Sequence, residues 1–179
     1  MGLSLCVSVW FVRNYDQGFE INSDDTEYSA PAESLVVPIL HQNGIETIRA
    51  KSGYRFLWLR SFHPTILIEV TEVSGNRVKT KTMEKVEIFG FPFWKLIKSE
   101  VRGDVTFDEA ALYLMGEDRI FTLPIVRNLE VLDGSTWIFE AKLEEEHLFA
   151  LIDSPPKGVP ARNVGERFLE LASTLHPVY

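Results

Sequence analysis

Ser61 and His63 stand two residues apart in an apolar stretch, the spacing that places both side chains on one face of a strand. A serine beside an imidazole is half of a nucleophilic constellation, and a carboxylate such as Asp153 would supply the orienting acid. No Gly-x-Ser-x-Gly sequence accompanies the pair, and no catalytic residue is assigned. Arg60, His63 and Asp153 instead form the candidate binding set, because an arginine and an imidazole suit a small anion or a peptide. Arg55 and Arg60 are five apart and so lie on opposite strand faces. An arginine in a buried strand needs a partner, and Glu69, Glu140 and Asp153 are the candidates. Internal salt bridges that fix strand register are the favoured reading.

Metal chemistry requires clustered ligands. The four histidines, His41, His63, His147 and His176, form no HxH or HxxxH pair. Glu144-Glu145-Glu146-His147 has ligand-type residues but reads as a solvated hairpin tip. Neither a metal nor a cofactor is expected. Cys6 is the single cysteine, which forbids an internal disulfide, and it sits in an apolar run as a small hydrophobe.

The 179 residues suit one domain, and 45% hydrophobic with 25% charged residues is ordinary for a globular chain. The formal net charge of −8 repels phosphate backbones, so nucleic acid is not an expected partner. Arg77, Lys79, Lys81 and Lys85 form the one basic run, read as a solvated strand whose lysines discourage edge pairing. No stretch reaches the roughly 18–20 apolar residues of a membrane span. The opening segment reads as a strand, with Leu3, Leu5, Val7, Val9 and Phe11 alternating. A cytoplasmic location follows, unless an export signal precedes this start.

These side chains must be positioned by an antiparallel sheet. Tyr54–Phe62 is apolar on both faces, the pattern of a central strand covered on each side. Thr65–Val73, Arg77–Glu84 and Lys95–Val101 follow as strands, the last ending at an Arg102-Gly103-Asp104 turn. Gly90-Phe91-Pro92-Phe93-Trp94 reads as a buried connection, with a protruding aromatic surface as the alternative. Thr136–Leu143 and Glu146–Ile152 form a hairpin. Thr106 with Glu109 makes a capping box for one amphipathic helix, and Asn163 with Glu166 makes one for a second. Residues 14–34 read as a long acidic loop, Leu35–Ile39 as an edge or irregular strand interrupted by Pro38, and Ile45–Ala50 as a short strand. The expected architecture is one α+β domain over residues 1–179, a largely antiparallel sheet with two amphipathic helices covering one face.

Tyr54–Pro64, YRFLWLRSFHP, resembles a family of uncharacterised bacterial proteins with the pattern YRFLWLRTFHHP. The resemblance extends through Thr106–Glu109, Phe121-Thr122-Leu123-Pro124, the segment Asp133–Glu140 and the helix Gly165–Leu175. The family pattern has two histidines before the proline where this chain has His63 alone. Its Asp-Arg-Trp-Ser-Pro is shortened here to Asp153-Ser154-Pro155. The resemblance implies a shared fold and carries no activity.

The absence of a catalytic constellation and the acidic composition favour a non-catalytic protein-binding module. One version is an immunity-like protein that neutralises a basic partner, with Asp24-Asp25 in its exposed acidic loop. The alternatives are a small hydrolase or ligand-binding domain built on Arg60, His63 and Asp153, and an envelope-associated accessory protein.

Overall fold

A computed structural model describes residues 26–28, 32–74, 76–115, 120–122, 125–127 and 134–172. The strand expected at Leu3–Phe11, Cys6, Asp24-Asp25, Asp133 and His176 lie outside the described residues.

In chain order the elements are β1 (Thr26–Tyr28), α1 (Ala32–Gln42), β2 (Ser52–Arg60), β3 (Ile66–Val73), β4 (Arg77–Ile88), β5 (Phe91–Thr106), α2 (Phe107–Met115), a 3₁₀ turn (Ile120–Thr122), β6 (Ile125–Arg127), β7 (Ser135–Leu143), β8 (Glu146–Asp153) and α3 (Pro160–Leu171). The strands form one sheet in the order β1-β6-β8-β7-β2-β3-β4-β5. Six long strands pair antiparallel, and only the short β6 meets β8 in parallel. The chain is thus α+β, with β2 in the middle of the sheet.

The two-faced apolar pattern of β2 is explained by cover on both sides. Tyr54, Phe56 and Trp58 face α2 and α3, where Phe107, Leu114, Val164 and Phe168 close a core with Trp137 and Phe139. Phe56 lies 5.0 Å from Phe139, 5.1 Å from Trp137 and 5.6 Å from Phe168 between ring centroids, the offset contacts aromatic quadrupoles prefer. Leu57 turns to the other face and packs with Leu67, Ile138, Leu151 and the α1 residues Val36 and Leu40. The expected two helices share one face, and a third, α1, covers the opposite one.

That third helix corrects the edge strand expected at Leu35–Ile39. Pro38 lies inside α1, and the helix forms because Val36 and Leu40, four apart, are both fully buried against the sheet. Tertiary burial outweighs the cost of an interior proline. The expected loop at 14–34 is likewise shortened, since Thr26–Tyr28 pairs with Ile125–Arg127 and α1 starts at Ala32. Ile45–Ala50 is not a strand; its backbone is held by side chains of the central strands β2 and β7 instead. Arg102-Gly103-Asp104 lies within β5 rather than in a turn, at a register irregularity opposite Arg77 and Val78.

The Thr106–Glu109 capping box is formed: the Thr106 amide and hydroxyl donate to Glu109 Oε2 at 2.8 and 2.9 Å, and the Glu109 amide donates back to Thr106 Oγ1 at 3.2 Å. The second box is not. Helix α3 begins three residues before Asn163, with Val159 as N-cap and Pro160 at its first position, where a missing N–H costs nothing.

Candidate functional site

Arg60 closes β2 and its guanidinium lies 4.7 Å from the Trp58 ring centroid. Its Nε donates to the Pro64 carbonyl at 2.8 Å, and Nη2 donates to the same oxygen. This clasp folds the Ser61–Pro64 turn back over the strand end and leaves His63 exposed. Arg60 and His63 both line a cleft of about 440 Å³, together with Trp58, Ser61, Ser135 and Arg162. Asp153 does not line that cleft. It ends β8 opposite Thr136, whose hydroxyl donates to Asp153 Oδ1 at 2.5 Å. Ser61 donates its hydroxyl to the Gly134 carbonyl at 2.6 Å. The geometry thus gathers Arg60 and His63, and holds Asp153 in a cross-strand bond.

Arg162 joins this cleft without having been singled out by sequence. It is buried on α3, 5.3 Å from the Trp137 ring centroid, with Nε donating to Glu166 Oε1 at 2.8 Å. The signal that could have found it is the Arg162–Glu166 spacing of one helical turn beside an apolar stripe.

On the other sheet face, Arg55 sits between the strands that carry its expected partners, opposite Glu69 on β3 and Glu140 on β7. Its two terminal nitrogens donate to Glu140 Oε2 at 2.6 Å and Glu69 Oε1 at 2.7 Å. Nη1 also donates to the Glu46 carbonyl at 2.7 Å. The buried Glu140 carboxylate accepts the Ile48 amide at 2.6 Å and meets His147 Nε2 at 2.7 Å. These bonds tie the irregular Ile45–Ala50 segment to the sheet, which is a structural use of the charges. A shallow cleft of about 460 Å³ lies alongside, lined by the same segment with Arg55 and Glu69. No cluster of three or more metal-ligating side chains occurs among the described residues.

The feature with no such structural explanation is the β4–β5 hairpin. Pairing of β4 with β3 ends at Glu84, apart from one bond from the Lys85 amide to the Thr65 carbonyl. Beyond it, among the described residues, the two strands pair only with each other as an arm: Val86 opposite Phe93 and Ile88 opposite Phe91. These four alternate with Glu87 and Pro92, so one face of the arm is wholly apolar. Ile88, Phe91 and Phe93 are each at least half exposed. The buried connection expected at Gly90–Trp94 is therefore corrected to a protruding aromatic surface. Only Trp94 turns inward, its indole N–H donating to the Asn43 carbonyl at 2.9 Å.

At the arm's tip Phe89 and Gly90 form a two-residue turn with both φ angles positive, +53° and +82°. That geometry matches the twist of a hairpin and is ordinarily filled by Asn-Gly. A phenylalanine in the left-handed region carries a steric cost of about 1–2 kcal/mol. Phe89 is 96% exposed, so packing among the described residues does not offset it.

No protein-family model, curated protein or solved structure gives a significant match to the chain.

Proposed function

We propose that the chain is a non-catalytic protein-binding module that anchors a basic partner protein through the β4–β5 arm. The observation that carries this reading is Phe89. A strained, solvent-exposed aromatic residue at a turn tip, beside the apolar row Ile88, Phe91 and Phe93, serves contact with another molecule better than it serves folding. Charge supports the choice of partner. Of the 18 basic and 26 acidic residues, the hairpin 77–106 holds seven and four, leaving eleven and 22 in the rest of the chain. The arm itself, Glu84 to Lys95, holds two of each. An acidic body steers a basic protein from a distance, and a charge-neutral apolar arm supplies the desolvated contact. An immunity-like protein that neutralises a basic toxin is one version of this reading.

The test is quantitative capture from the native host with the wild-type chain and with Phe91→Ser/Phe93→Ser. A stoichiometric basic partner is expected, lost with the double substitution and weakened by salt. A partner of acidic pI, or one captured equally by the variant, contradicts the reading.

The cleft shared by Arg60, His63 and Arg162 favours a second reading, a small-anion-binding or hydrolytic domain. It requires that inorganic phosphate or a short peptide give a heat of binding that Arg60→Ala/His63→Ala removes. No heat with the wild-type chain rules it out.

A further inference from the structure

Strand β5 is the edge of the sheet, with β4 as its one neighbour among the described residues. Its outer backbone groups form a template for another strand. From Lys98 to Arg102 the ladder with β4 is regular, each residue opposite one partner. Lys98, Glu100 and Arg102 share the face that carries α3, since Arg102 Nη1 donates to the Leu171 carbonyl at 3.4 Å. Ser99 and Val101 share the other. Leu96, Ile97 and Val101 are each about half exposed along this strand. Among the described residues no element pairs with this outer edge.

We propose that β5 pairs antiparallel with β5 of a second copy of this chain, about a two-fold axis at Ser99, to give one continuous sheet across a symmetric dimer. An axis relating two antiparallel edge strands runs perpendicular to the sheet, and directly opposed residues must lie on the same face. The axis therefore passes through a residue. At Lys98 or at Glu100 it would set like charges against each other. At Ser99 it sets Lys98 against Glu100 of the second copy and Glu100 against Lys98 of the second copy. Within one chain Lys98 Nζ and Glu100 Oε1 already lie 2.9 Å apart on the sheet face, so the pairing closes a ring of four alternating charges. The same register brings Ile97, which is displaced at the β-bulge, beside Val101 of the second copy. An axis at Val101 also pairs opposite charges, but it engages Gly103 to Val105, where the ladder with β4 is broken. Lysines on an edge strand discourage pairing in general; here the adjacent glutamate makes one register favourable and its neighbours unfavourable.

Sedimentation equilibrium of the full chain tests this, with folding of each variant checked by thermal unfolding. The wild-type chain is expected at twice its 20.5 kDa mass. Lys98→Glu and Glu100→Lys should each weaken the dimer about tenfold or more, because each replaces two attractive cross-strand pairs by repulsive ones. The combined Lys98→Glu/Glu100→Lys exchange should restore it. A chain that is monomeric at every concentration overturns the proposal, as does a dimer indifferent to the single substitutions or an exchange that fails to restore pairing. Positions 98 and 100 lie outside the arm, so loss of the dimer and loss of partner capture are separate results.

Discussion

At the scale of single residues, the chain separates side chains that hold the fold from those that do not. Gly165 on α3 belongs to the first group. A Cβ built there would sit 2.0 Å from Cζ3 of the fully buried Trp137, so only glycine lets helix and sheet approach. Gly165→Ala is expected to destabilise the chain by about 1–3 kcal/mol, measured by denaturant unfolding. Tyr113 on α2 gives a pH test. Burial, then its hydrogen bond to Glu170, pushes the phenol up to about 12. The protonated phenol is the form the fold favours. Its contribution is therefore complete below the ordinary value of 10.0 and is lost as pH rises towards 12. Stability should fall over that alkaline window, and Tyr113→Phe should flatten the fall; an unchanged profile in the variant contradicts the assignment. Arg55 was readable from sequence because an arginine inside an apolar strand requires carboxylates, and two of its three candidate partners are those it binds. Asp153, the third, was not, since only the β7–β8 register reveals the competing hydroxyl of Thr136.

At the scale of elements, legibility followed how local the signal was. The α2 capping box lies within four residues and is legible in Thr106 and Glu109 alone. Thr106→Ala is expected to cost about 1 kcal/mol of stability, read from the midpoint of urea unfolding. The hydrogen bonds from Thr106 hold the Glu109 carboxyl below its ordinary value. The cap is therefore intact above about pH 4.5 and weakens as pH falls through the lowered value, so the cost of Thr106→Ala should shrink in acid. Helix α1 is hidden in the sequence because Pro38 speaks locally against a helix, whereas the burial of Val36 and Leu40 that forms it depends on β8 and β7, more than 90 residues away. The same distance problem hid the true start of α3: Asn163 and Glu166 have capping-box spacing, but Pro160 had already fixed the first turn. The exposed arm stands only as the alternative in the sequence for a different reason. An IFGFPFW run is as apolar as a core segment, and only the end of β3 at Val73 and its start at Ile66 show that β4 and β5 outrun their neighbour.

At the scale of the whole molecule, a covered sheet carries one basic hairpin on an otherwise acidic body. The buried Arg55 and Glu140 on its α1 face hold the Ile45–Ala50 segment, and α1, α2 and α3 close its cores. The exposed apolar surface is concentrated on β5 and the arm. An arm kept for contact should be improvable for folding at the expense of binding. Phe89→Asn is the substitution that separates the two, because asparagine accepts positive φ where phenylalanine is strained and removes the tip's aromatic surface. Phe89→Asn is expected to raise unfolding stability by about 1 kcal/mol while lowering capture of the native partner at least severalfold. Capture unchanged by Phe89→Asn, measured on the same folded protein, would contradict it.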